Sequence, residues 1–436
     1  MFGKKKRTQV IVVGAGPVGR LLALALNTRG VDVHLFDQEW RGISRSYATA
    51  LHPSALELLD QFGIAQPVLD QALPVERVVF YDSEGPRAAV DLKQLPSRYP
   101  LVAVIPQSAF EEILEHELHR RGITIEWQRR VAVLESHADR MDVSVEVMEH
   151  FSTGYATAHT EVAVQNTLHY EAAFVIGADG GESFTRLNQG FEIEQLGGPE
   201  HFRVFEFLSD RASDSEVRIV LDNSHSNVLW TLPGGHQRWS FQVDGSAPDA
   251  EKSRLLSPLR EPRERTNVDA LNRLIQGRAP WFGWVDNVVW AGDARFERRL
   301  APRLGKGRVW LLGDAAHQTG PIGVQSMNAG LIEADELASV LSDIVIWHGP
   351  LDGLASYEAT VQRRWRRLLG KEDAICAQDD AEDWVRAHAS SILSCIPASD
   401  GHLLAAADQL RLTLVSAWHD GRGAVSSPQS PQEVNV

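Results

Sequence analysis

Apolar residues fall in short runs, and glycine- and aspartate-bearing stretches separate them. The first run, Val10-Ile11-Val12-Val13, is β-branched throughout, as in a strand buried on both faces. A helix is predicted over 20–27, apolar at Leu21, Leu22, Leu24, Ala25 and Leu26, then a second strand over 31–36. Residues 55–62 predict an amphipathic helix ended by Gly63, and residues 107–121 a helix stopped by Gly122. Short strands and turns are predicted over 75–105. A run of strands over 123–176 includes alternating Val143, Val145 and Val147 and a buried stretch at 173–176. Alternation and turn signals over 190–290 predict a mostly antiparallel sheet. A strand over 307–312, a long helix over 329–344 and further helices to about 419 follow. The end, 421–436, is rich in Ser, Pro, Gln and Gly and is predicted to be disordered.

Between the first strand and helix stands Gly14-x-Gly16-Pro17-Val18-Gly19, and Asp37 closes the second strand. Gly14 permits a tight turn, Gly16 lets a pyrophosphate approach the backbone, and Gly19 lets helix and sheet pack closely. The helix N-terminus then faces the phosphates. Asp37, 18 residues past Gly19, is placed to accept bonds from an adenosine ribose. A 2′-phosphate would be repelled there, so the predicted dinucleotide is FAD or NAD rather than NADP. The alternative is a glycine turn in an ordinary α/β protein.

A chain of 436 residues suffices for two or three domains, and 43% hydrophobic with 23% charged residues is ordinary for a globular protein. Net charge −15 argues against nucleic-acid backbones and anionic membranes as partners. Cys376 and Cys395 make neither a disulfide framework nor a zinc site, and no metal is expected. Lys4-Lys5-Lys6-Arg7 precedes an apolar run broken by the fingerprint glycines, so it reads as a solvated leader rather than a signal peptide. With no run of 18 apolar residues, the expectation is a cytoplasmic protein without membrane insertion.

Two more clusters stand at strand ends: Gly177-Ala178-Asp179-Gly180-Gly181-Glu182-Ser183-Phe184-Thr185-Arg186, and Gly313-Asp314-Ala315-Ala316-His317 with Pro321-Ile322-Gly323-Val324-Gln325-Ser326-Met327-Asn328. Ligands of open α/β sheets bind beyond the carboxyl ends of strands, so three such ends imply a long ligand. With Gln107 ahead of Phe110-Glu111 and Leu114, and with Tyr357-Glu358, these motifs resemble the FAD-dependent aromatic hydroxylases built like p-hydroxybenzoate hydroxylase. The resemblance spans residues 10 to about 360.

The resemblance implies an α/β fold: a Rossmann-type FAD-binding domain (8–75, 106–186, 295–346), an inserted, mostly antiparallel β-sheet substrate domain (76–105, 187–294) and a helical C-terminal segment (347–420). It implies FAD as cofactor, NADH or NADPH as co-substrate, and oxygen transfer from a flavin C4a-hydroperoxide to an aromatic, phenolic or polyketide-like small molecule. Asp314 would hold the ribityl hydroxyls, Asp179 and Gly180 would border the phosphate and nicotinamide region, and Gln107 would contact the ribityl or phosphate part. Gln325 belongs to the same loop, and backbone N–H groups near Met327 and Asn328 would bind the flavin O2. Pro321 and Gly323 would form the flavin edge, with no catalytic base assigned. A homodimer is an expected partner arrangement, with the C-terminal helices capping the fold or forming its contact.

The bland readings stand beside these. Asp179 and Asp314 could be turn or cap residues, His317 is read as structural, and neither His52 nor His236 is given a role. The twelve tryptophans read as core and interface rather than a substrate cage. The chain departs from the family pattern at Val324 and Ser326, which replace glycines, at Gly320, where a proline is common, and at Tyr47, with Arg45 the nearest substitute for an arginine. A left-handed backbone at 324 or 326 would carry strain. Two rival readings are a flavin-dependent halogenase, for which Trp281 and Trp284 offer only a partial motif, and an FAD-binding protein without oxygen chemistry.

Overall fold

The computed structural model describes residues 5–40, 48–153, 159–209, 215–222, 224–245, 264–369, 371, 377–397 and 410–412. Arg45, Cys376 and the predicted disordered tail lie outside the described residues. An eight-stranded sheet runs along Gly305–Lys306, Val309–Leu311, His159–Gly177, Lys6–Val13, Val33–Phe36 and Ile125–Glu126. Its central strands are parallel, while Met141–Thr153 and Arg129–Ser136 extend from His159–Gly177 as an antiparallel arm. The first strand is buried on both faces, as its composition predicts. Val10 and Val12 join a core with Leu22, Phe110 and Leu337, while Ile11 and Val13 face Val143, Tyr170 and Val175. Helices Pro17–Thr28, Gln107–Arg120 and Gln325–Trp347 supply the first of these cores.

A second, seven-stranded sheet has the order Trp290–Phe296, Glu200–Leu208, His236–Val243, Ser226–Thr231, Glu216–Leu221, Arg77–Tyr81 and Pro86–Asp91. It is antiparallel except where Glu216–Leu221 meets Arg77–Tyr81. One face packs on helix Glu264–Arg278 through Leu271 and Ile275, the other on helix Asp383–Cys395 through Val385 and Ile392. The last helix among the described residues thus covers one face of the sheet. Helix Glu264–Arg278 was not predicted. The long helix spans Gln325–Trp347 rather than starting at residue 329, because Val324 turns the chain into it early. Gln325, Met327 and Asn328 therefore sit in a first helical turn and not in a loop.

Candidate active site at three strand ends

The sheet register brings the three glycine and aspartate clusters together. Val13 pairs with Gly177, and Gly177 with Leu311, so the loops that follow lie side by side at the carboxyl ends of neighbouring parallel strands. Ala178 donates its N–H to the Val13 carbonyl at 2.7 Å, and Leu312 to the Gly177 carbonyl at 2.9 Å. Gly14 adopts φ +103°, and a Cβ there would stand 2.3 Å from the Ala178 carbonyl oxygen. Only glycine permits both the turn and the contact. A Cβ on Gly19 would meet the Gly14 oxygen at 2.0 Å, which fixes the helix against the turn. At Gly16 a Cβ would meet nothing within 4 Å. The turn is thus closed behind and open in front, where helix Pro17–Thr28, with half-buried Pro17 and Val18, presents its N-terminus.

The acidic groups divide into two kinds. Asp37 accepts the Ala15 N–H at 2.7 Å through Oδ2 and the Glu39 N–H at 2.9 Å through Oδ1, so it braces the fingerprint turn. Asp179 accepts from the Ser183 hydroxyl, the Thr185 N–H at 2.9 Å and the Thr185 hydroxyl at 3.0 Å. Its carboxylate is saturated within its own turn, next to Gly180 at φ +79°, so it supports the loop instead of reaching outward. Asp314 differs. Solvent reaches its side chain, yet the walls of the cleft surround it closely enough to push its carboxyl pKa up, against the Gln318 amide donating at 3.3 Å. Of the three carboxylates it is the one in an exposed residue. Gln107 is half-buried and donates to Glu111 at 2.7 Å.

The turn before the long helix is held from behind. The buried His52 ring lies 2.9 Å from the Gly323 carbonyl through Nε2, and its backbone N–H donates to Asn328 Oδ1 at 2.8 Å. Asn328 donates to the Ala50 and Val324 carbonyls, each at 2.8 Å. Gln325 turns its amide to the Ile396 carbonyl at 3.1 Å and the Leu393 carbonyl at 3.4 Å. The side chains of Gln325 and Asn328 clamp the loop, which leaves the backbone N–H groups near Met327 and Asn328 as the groups expected at the cofactor. Met327 is half-buried in the same helical turn. Val324 adopts φ +47°, ψ +36°, the left-handed region that a β-branched residue occupies only under strain. Ser326 is helical and accepts the Thr319 N–H at 2.9 Å. Gly323 is buried against the Ser394 carbonyl, where a Cβ would lie at 2.6 Å, whereas Pro321 is only half-buried. The turn borders a cavity of about 190 Å³, lined by Thr319, Gly320, Ile322 and Gln325 from the loop and helix start, by Glu200, Gln242 and Arg298 from the sheet side, and by Ser391 and Ser394 of helix Asp383–Cys395.

A family profile described as "FAD binding domain" matches residues 7–371. The chain belongs to the FAD binding domain family. It is 26% identical over 358 residues to 6-methylpretetramide 4-monooxygenase of Streptomyces rimosus, covering 80% of this chain and 58% of that protein. It is 23% identical over 428 residues to pentachlorophenol 4-monooxygenase of Sphingobium chlorophenolicum, covering 96% and 70%. The chain thus spans little more than half the length of the first of these relatives. Its fold matches the crystal structure of p-nitrophenol 4-monooxygenase from Pseudomonas putida DLL-E4 with TM-score 0.71 and 21% identity, over 94% of this chain and all of that one.

In this FAD-binding chain further side chains complete the site, and of these Arg20 was not singled out in the sequence. Arg20, almost fully buried, donates to the Ala15 carbonyl at 2.6 Å and to the Glu111 carbonyl, and lies 3.4 Å from the Glu111 carboxylate. It locks the fingerprint turn to helix Gln107–Arg120; burial pulls its pKa down and pushes that of Glu111 up. A charge heading the apolar stretch Leu21–Leu26 was the available signal. Arg186 donates to the Gly181 carbonyl at 2.6 Å and the Ala315 carbonyl at 2.9 Å, tying the second loop to the third. His317 is structural, as read: buried, 2.6 Å from Glu333 and stacked on Trp365 at 3.9 Å. The halogenase reading finds no support. Trp281 stacks on Tyr81 at 4.3 Å and donates to the Asp82 carbonyl, which makes it core of the sheet layer. Among the described residues no helix is long and apolar enough to cross a membrane.

Proposed function

We propose that this chain is an FAD- and NAD(P)H-dependent monooxygenase that hydroxylates an aromatic, phenolic or polyketide-like small molecule. One observation carries the reading. Three glycine-bearing loops stand side by side at adjacent strand ends, and the segment that follows Asp314 borders a cavity lined in part from a second sheet. A long ligand such as FAD would lie along the three loops and a small ring would enter the cavity. The names of the relatives, monooxygenases of pentachlorophenol and a pretetramide, point the same way. FAD bound there supplies hydride acceptance and oxygen activation.

The chain's own residues bind and orient. The open turn at Gly16 and the helix N-terminus would receive the pyrophosphate. Asp314, as an ionised acceptor, would hold the ribityl hydroxyls. The first turn of helix Gln325–Trp347 would offer N–H groups near Met327 and Asn328 to the flavin O2, stabilising negative charge there. Pro321 and the Gly323 segment, pinned by His52 and Asn328, would keep the ring edge fixed and exclude water from it. The nicotinamide donor has no second fingerprint and would dock transiently. The test is FAD reconstitution followed by assays with NADH, NADPH and a panel of phenols. Substrate-stimulated NAD(P)H oxidation with a product heavier by one oxygen supports the reading. Bound flavin without any such stimulation refutes it. The strain at Val324 favours a second reading, FAD binding without oxygen chemistry, and the same assay separates the two.

A further inference from the structure

The wall of the cavity nearest the flavin-edge turn carries charge. Glu200 opens strand Glu200–Leu208 and pairs across the sheet with Phe296; Arg298 follows two residues beyond. Arg298 Nε lies 2.8 Å from Glu200 Oε1, with side chains 36% and 17% exposed, and both residues line the cavity. The other carboxylate oxygen turns to the loop. A Cβ placed on Gly320 would lie 2.4 Å from Glu200 Oε2. The carboxylate thus packs against Gly320, and a side chain at 320 would push it aside. A ring entering the cavity would meet this pair beside the turn, where Arg298 Nε already holds one carboxylate oxygen. An ionised carboxylate only accepts hydrogen bonds. A second carboxylate placed beside that oxygen is repelled by it.

We propose that Glu200 is the specificity-determining residue of this cavity. It admits aromatic substrates that present a neutral donor, a phenolic hydroxyl or N–H, next to the flavin-edge turn, and it turns aromatic carboxylates away. The proposal rests on the reading that the cavity takes an aromatic substrate. Specificity of this kind comes from a repulsive element set against the wrong ligand.

Isothermal titration calorimetry on the FAD-reconstituted protein tests it, with 2,6-dihydroxynaphthalene and 6-hydroxy-2-naphthoate as a matched pair. The wild-type protein is expected to bind the diol at least tenfold more tightly than the naphthoate. Glu200→Gln removes the anion and leaves Arg298 without its counter-ion, so the preference reverses towards the naphthoate. Gly320→Ala, which displaces the carboxylate, narrows the ratio while FAD content stays at the wild-type level. Wild-type protein that binds the naphthoate as tightly as the diol, or binds neither, overturns the proposal whatever the variants do. A Glu200→Gln protein with wild-type FAD content and an unchanged ratio overturns it as well. Failure of the monooxygenase reading registers separately, as missing substrate-stimulated NAD(P)H oxidation, because binding heats do not depend on turnover.

Discussion

His52 meets the Gly323 carbonyl through Nε2, and its buried Nδ1 faces no partner among the described residues. Burial lowers its pKa to about 3, against 6.5 for the free side chain. The unfolded chain therefore binds a proton that the folded chain refuses, and the folded state is fully favoured only above about pH 6.5. Stability falls by roughly 1.4 kcal/mol per pH unit as pH drops from there towards 3. In His52→Gln this contribution vanishes. Between pH 7 and 5, the decline in unfolding free energy should be smaller than in the wild type by about 2 kcal/mol, read from urea midpoints. Equal declines in the two proteins would refute it. Asp314 is the residue proposed to hold the ribityl hydroxyls. Asp314→Ala should weaken FAD binding more than tenfold, on the order of 1.5–3 kcal/mol for a charged hydrogen bond. An unchanged FAD titration would remove Asp314 from the site.

Among the elements, the short helix Phe184–Asn188 has an effect beyond its size, since its Arg186 joins two of the three site loops through the Gly181 and Ala315 carbonyls. Arg186→Met leaves those carbonyls without their donor and should lower stability by about 2–4 kcal/mol. It should also raise the FAD dissociation constant tenfold or more; loss of stability with unaltered FAD affinity would show that the loops hold their spacing without the staple. Elements of this kind divide by how local their cause is. The unit from Val10 to Asp37 was legible because strand, turn, helix and strand are contiguous and each obeys its own periodicity. The three strand-end loops were legible as motifs, but their adjacency rests on the register Val13–Gly177–Leu311, which no local pattern encodes. Helix Glu264–Arg278 was missed although Val268, Leu271 and Ile275 carry helical spacing, because strand signals on both sides dominated the stretch. The helix start at Gln325 was hidden by the glycine-rich approach to it. The pairing of Glu200 with Arg298 joins residues 98 apart in sequence through a cross-strand contact, so only the folded chain shows it.

At the scale of the whole molecule, the cleft lies between layers contributed by distant parts of the chain, so its ligand should stabilise the assembly. Free FAD at a hundredfold excess over its dissociation constant is worth about 2.7 kcal/mol. For a chain of 436 residues that corresponds to a rise in Tm of about 3 °C in a thermal melt. No shift at saturating FAD would contradict a cleft that binds the cofactor only when folded. The layer that closes the cavity from the far side has a chemical consequence of its own. Cys395 ends helix Asp383–Cys395 directly behind Gly323, and burial pushes its thiol up to about 12. Maleimides attack the thiolate of an accessible cysteine, so Cys395 reacts only when that helix lifts from the turn. In a Cys376→Ser background the labelling rate becomes a clock for that opening. It should run far slower than for an unfolded peptide and slower still with FAD bound, and a peptide-like rate would mean that the helix is open most of the time.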